Sequence, residues 1–274
     1  MRCFVHVFSR RFLRAGVLIF MMIALALSAQ AATFSKASLK GSYGFLINRW
    51  TANGNTNQFA VVGVMTFDGA GNVTASGTEI KGGVFQAGVL GGTYTVNSNG
   101  TGAINFTTGE NPPQFAIALN STAAGVAHSV QLLVTGDNDN EVVSGTALLQ
   151  SASAESYSVA SLKGNFALQF NTWTADVNEA QNGAVGVISL DGKGNLKGSA
   201  TSMYLGVPYP TNITGTYIVN SDGTGSMSLT CGSSGNCQSA FALNSVAAGQ
   251  AKGLQFLQTN TTGNIVITGI ALKQ

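Results

Sequence analysis

Residues 39–150 of this chain recur as residues 162–274, and the duplication restricts it to folds that a small domain can complete twice. Leu39-Lys40-Gly41-Ser42-Tyr43 returns as Leu162-Lys163-Gly164-Asn165-Phe166. The stretch from Gly63 to Asn72 returns as Gly186 to Asn195, and Gly92 to Gly102 returns as Gly215 to Gly225 with two changes. These matches share an offset of 123 residues, and the C-terminal strands match at 124. Such a period exceeds that of a solenoid and suits two tandem copies of one domain.

Within each copy the apolar residues recur at every second position. Tyr43, Phe45 and Ile47 alternate with polar or small residues, as do Phe166, Leu168 and Phe170. Phe115, Ile117 and Leu119 follow the same rule, then Val130, Leu132 and Val134. Between these runs lie Asp68-Gly69-Ala70-Gly71-Asn72, Asn97-Ser98-Asn99-Gly100 and Gly136-Asp137-Asn138-Asp139-Asn140, residues that close tight hairpins. No helical stripe is present. The pattern predicts eight strands in copy one, over 39–47, 59–67, 72–79, 91–97, 102–107, 114–120, 128–135 and 141–149. Eight sequential strands with short connections point to an all-β chain of two tandem antiparallel up-and-down barrels. A β-sandwich is the alternative, though its long crossovers are hard to place among hairpin-sized gaps.

The expected domain plan is a signal peptide over 1–31, barrels over 32–150 and 157–274, and a linker over 151–156. Arg2, Arg10, Arg11 and Arg14 precede the uncharged run Ala15 to Leu27, and Ala29-Gln30-Ala31 supplies the small-x-small cleavage pattern. Cleavage after Ala31 places the mature chain in the periplasm or outside the cell. The apolar run is shorter than the about 20 residues of a membrane-spanning helix, so no integral span is expected in the mature chain. Four of the 13 basic residues leave with the leader, so 9 face 11 acidic residues and the net charge becomes −2. No basic patch remains for a phosphate backbone, which excludes nucleic acid as a partner. In an exported protein, Cys231 and Cys237 are expected to form a disulfide across a short loop.

The first strands, Gly41-Ser42-Tyr43 and Gly164-Asn165-Phe166, resemble the Gly-x-Trp opening of the calycin barrels, the lipocalins and avidins, with another aromatic in the Trp position. The resemblance implies a small apolar or amphipathic ligand inside each barrel, with Tyr43 and Phe166 as candidate contacts. Trp50 and Trp173 join them, each just past the first strand within matched Asn-x-Trp-Thr-Ala segments, where an aromatic ring can stack on a ligand or a sugar, or pack the barrel end.

Catalytic chemistry is thin. His128 is the sole histidine of the mature chain, and no GxSxG elbow, HExxH, Walker loop or dinucleotide fingerprint accompanies it. Glu79 and Glu110 offer an acid pair, but Ser202 stands opposite Glu79 in copy two. Asp137, Asp139 and Glu141 alternate as a candidate calcium site that copy two does not share, and no other cofactor is expected. Asp68 and Asp191 each give their turn a single carboxylate, which reads as hairpin chemistry. The expected function is therefore an exported, non-catalytic binder of a small molecule or glycan. The alternatives are a structural or adhesive surface protein with filled barrels that self-associates, and one 16-strand outer-membrane barrel.

Overall fold

The computed structural model describes residues 33–274 apart from 52–58, 82–83, 110, 136–140, 154, 175–181, 232–234, 248 and 262–264. Two closed eight-strand antiparallel barrels follow one another along the chain. The first comprises β1 (Lys40–Thr51), β2 (Phe59–Asp68), β3 (Asn72–Lys81), β4 (Val84–Val96), β5 (Thr101–Phe106), β6 (Gln114–Ala123), β7 (Val126–Thr135) and β8 (Glu141–Ser151). The second comprises β9 (Lys163–Thr174), β10 (Gly183–Asp191), β11 (Asn195–Tyr204), β12 (Val207–Val219), β13 (Thr224–Cys231), β14 (Asn236–Ala247), β15 (Gln250–Gln258) and β16 (Ile265–Lys273).

Each strand pairs with the next, and the first returns to the last: Tyr43 lies opposite Leu149 in one barrel, and Phe166 opposite Lys273 in the other. Closure leaves neither sheet with an unpaired edge. The two separate closures overturn the 16-strand alternative, and the sequential order sets aside the sandwich.

Strands β1 and β4 are longer than the sequence predicts. Gly88, Gly91 and Gly92 interrupt the apolar alternation before residue 91, yet β3 pairs with β4 without a break from Asn72–Thr93 to Lys81–Val84. Backbone pairing with a regular neighbour fixes this segment where its side chains give no signal.

The duplicated turns fold alike in both barrels. The Asp68 carboxylate accepts backbone N–H bonds from Ala70, Gly71 and Asn72. Asp191 accepts them from Lys193 and Asn195. Backbone donors and the Asn72 side chain hold Asp68 down at about 2, and the Asn195 side chain with backbone donors does the same for Asp191. In the next hairpin, Gly100 at φ +87° and Gly223 at φ +84° supply the left-handed residue.

A strap closes one end of each barrel, and it extends the duplication upstream to Phe34 and Tyr157. Ser35 and Ser158 donate their backbone N–H to Ser38 Oγ and Ser161 Oγ across one 3-10 turn. The Tyr94 hydroxyl donates to the Leu39 carbonyl at 2.8 Å, and Tyr217 donates to Leu162 at 2.7 Å. Burial pushes the Tyr94 phenol up to about 12.

The barrels dock through their outer walls. Ala60, Val62, Val64 and Ile80 of barrel one bury against Ala242, Leu257 and Val266 of barrel two. Gly44 lets the walls meet, because a Cβ there would lie 2.2 Å from the Leu243 carbonyl oxygen. The stretch after β8 is tied down too, with Ser151 Oγ donating to Glu155 at 3.0 Å.

A candidate ligand cavity in the second barrel

The two interiors differ at the end opposite the strap. In barrel one, the buried side chains Phe45, Phe106, Phe115, Ile117 and Leu132 fill the lumen. Phe106 and Phe115 meet edge to face with centroids 6.1 Å apart. Nearer the rim, the Arg49 guanidinium lies over the Phe59 ring at 5.2 Å.

Barrel two replaces most of these groups with smaller ones. Arg49, Phe59 and Glu79 become Thr172, Asn182 and Ser202, while Phe106 and Phe115 become Leu229 and Ser239. Phe170 and Phe256, in the places of Ile47 and Leu132, return part of the volume. What remains is a cavity of about 380 Å³. Packed interiors hold few voids larger than a water molecule, so a space of this size in a barrel core is a binding-site feature.

The cavity is apolar in its depth and polar towards the rim. Ile188, Leu196, Ile213, Met227 and Leu254 line the deep part, and Thr172, Asn182, Ser202, Asn236, Gln258 and Asn260 contribute polar groups. Ser202 and Thr211 share a hydroxyl–hydroxyl bond of 3.0 Å. Asn260 Oδ1 accepts from the Gln238 backbone at 2.8 Å and from Gln258 Nε2 at 3.2 Å. Two lining atoms, Thr172 Oγ1 and Asn182 Oδ1, are buried without a hydrogen-bond partner among the described residues. A buried polar atom left unpaired costs about 1–3 kcal/mol. None of the described lining residues carries a formal charge at neutral pH.

The residues singled out from sequence lie elsewhere. Tyr43 is fully buried near the strapped end of barrel one, its hydroxyl donating to the Ala127 carbonyl at 2.8 Å and its ring edge to face with Phe67. Desolvation raises its pKa well above the phenol range. Phe166 is equally buried in barrel two, and neither ring lines the cavity. Trp50 and Trp173 fall within the last residues of β1 and β9, rather than past the strand, opposite Val142 and Val266. Both Trp side chains lie outside the described residues.

Asp137 and Asp139 lie outside the described residues, as does the Glu141 side chain. Among the described residues no three metal-ligating side chains cluster. The Cys231 side chain is likewise outside them, while Cys237 lies on β14 at the cavity wall. His128 is exposed on β7.

Reading each copy for pattern missed the cavity, because both copies carry the same strand signal. The signal was in the differences: aligned at the repeat offset, the inward positions of copy two lose several aromatic rings and two charged residues, Arg49 and Glu79.

No known family model matches this chain, and no curated protein sequence is significantly similar to it. Solved structures with an overlapping arrangement include a protein with unknown function from the DUF3598 family of Nostoc punctiforme, at 13% identity over 87% of this chain and 98% of that one, with TM-score 0.27. Kievitone hydratase from Nectria haematococca matches at 10% identity over 89% and 94%, with TM-score 0.28. The isotype 1 transferrin binding protein B of serogroup B Neisseria meningitidis matches at 7% identity over 86% and 77%, with TM-score 0.31.

Proposed function

We propose that this protein binds one small, uncharged, amphipathic molecule per chain, inside the second barrel, while the first barrel is a filled platform. The cavity of about 380 Å³, with apolar side chains in its depth and polar ones at its rim, carries this reading. A cavity of about 150 Å³ accommodates benzene, so this one suits a ligand of roughly 15 non-hydrogen atoms. The described lining residues are uncharged, which favours a neutral ligand, since an ion among them would be desolvated without a counter-charge. The apolar depth takes the body of the molecule, and the rim takes its hydroxyl, carbonyl or amide groups. A sugar is the second reading, favoured by Tyr209, an exposed ring at the cavity edge.

Among the described residues, the lining holds no carboxylate, histidine or lysine that would serve as a general acid or base, and this favours the binding reading. The leader and the Cys231–Cys237 pair support an exported protein acting in the periplasm or beyond. The mature mass should start at Ala32 and gain a hydrogen pair on reduction.

Titration with the neutral fluorophore N-phenyl-1-naphthylamine tests the site. Emission should rise to saturation at one probe per chain, and Thr172→Trp should abolish the rise while the fold is retained. A rise that saturates at two probes, or one that Thr172→Trp leaves unchanged, would place binding outside this cavity.

A further inference from the structure

The duplication leaves the docking surface between the barrels used once and available once more. Within the chain, the β2–β3 wall of barrel one receives the β14–β16 wall of barrel two. Each barrel carries both walls, so the chain also has a spare receiving wall on barrel two and, on β6, β7 and the exposed start of β8 in barrel one, an inserting wall; β8 itself also meets β14 within the chain.

The spare inserting wall keeps much of its chemistry. On barrel one it consists of Ala116, Ala118, Asn120, Gln131, Leu133 and Val142. At the matching places, barrel two has Ala240, Ala242, Asn244, Gln255, Leu257 and Val266, the same residue at all six positions. The inward faces of those strands behave differently: Phe115 becomes Ser239, Ile117 becomes Phe241 and Val134 becomes Gln258. Two other outward positions do change, Ser144 to Thr268 and Thr146 to Ile270, so the wall is retained in part. In barrel two Leu257 and Val266 are 0% and 2% exposed, whereas Leu133 and Val142 stand at 47% and 54%.

The spare receiving wall is present as well. Val62, Val64 and Ile80, all at or below 5% exposure, correspond to Val185, Val187 and Met203, which are 59%, 37% and 44% exposed. Two of the three are the same residue, and the third stays apolar. We infer that the receiving wall of barrel two binds the inserting wall of barrel one in a second copy of this chain, repeating the internal interface between molecules.

The contact is heterologous, so it propagates head to tail and ends in a ring or an open fibre. It is also looser than the internal contact. Ala167 replaces Gly44, the glycine that admits the Leu243 carbonyl, and Gln169 and Pro208 replace Leu46 and Phe85. A repeat in the same register must shift to clear the Ala167 Cβ, which makes the assembly reversible and dependent on concentration.

Sedimentation velocity of the mature chain over a concentration series tests this, using two variants on exposed positions that leave the cores untouched. Wild type should show oligomers growing with concentration, and Ala167→Gly should shift them to lower concentration. Leu133→Asp and Val185→Asp each bury a charge in one wall only, and each should weaken association at least about tenfold on its own. Mixed together, these two variants should form a capped heterodimer, because each retains the wall the other lacks. A wild type that stays monomeric throughout, or either Asp variant that associates alone as tightly as wild type, would overturn the inference. Equal helical-free circular dichroism and melting of the variants confirm that folding is not the cause.

Discussion

Ser239 stands in the second barrel where the first carries Phe115, and Ser239→Phe should convert the hollow barrel into a filled one. A phenyl ring needs about 150 Å³, a large part of the cavity of about 380 Å³. Burying it in space that already exists should stabilise the fold by about 2 kcal/mol. For a chain of this length that corresponds to roughly 4–8 °C in melting temperature. The ligand would then have to displace the ring or overpack the site, a cost of about 3 kcal/mol, or roughly a hundredfold in affinity. Differential scanning calorimetry and titration with N-phenyl-1-naphthylamine measure the two effects on one preparation. Higher melting temperature with lost binding is expected. Lower melting temperature would show that the space is not a void a side chain can fill, and unchanged binding would remove the cavity from the function.

The remaining predictions concern the frame that holds the cavity. Asp68 and Asp191 have folded pKa values near 2, depressed from 3.8, so they stabilise the fold above about pH 4 and that contribution disappears as pH falls towards 2; melting followed across this window should be flatter for Asp68→Asn with Asp191→Asn than for wild type. Tyr94→Phe removes the hydroxyl that donates to the Leu39 and Lys36 carbonyls and should cost about 1–2 kcal/mol in a urea melt. Gly44→Ala drives a Cβ into the Leu243 carbonyl and should destabilise the docked pair by about 1–3 kcal/mol, with faster proteolysis between β8 and the second strap as the readout; equal cleavage rates would contradict the close wall-to-wall contact.

Much of the frame is legible in the residues themselves. The period-two runs around Phe45, Ile117 and Leu132 locate strands because a half-buried pleat demands that alternation. The Asp-Gly-x-Gly-Asn turns are readable because one carboxylate satisfying several backbone N–H groups is a local device, and it folds as expected in both copies. The straps were less visible: Phe34 and Tyr157 differ, and Ser35-Lys36-Ala37-Ser38 matches Ser158-Val159-Ala160-Ser161 over too few residues to stand out. The cavity was least visible of all. Tyr43 and Phe166 occupy the place a family resemblance favours, yet both are consumed by packing at the strapped end. Volume is a property of facing residues from several strands, so Ser239 reads as ordinary until it is set beside Phe115. The docking walls have the same character, since Leu133 and Leu257 are identical letters whose burial differs only because one has a neighbour.

Native mass spectrometry of the mature chain purified from its own host, set against its denatured mass, tests most directly the claim that one barrel is hollow and the other filled. The account predicts one non-covalent adduct per chain, released on denaturation and missing from Ser239→Phe. Two adducts per chain, or one that persists in Ser239→Phe, would contradict it.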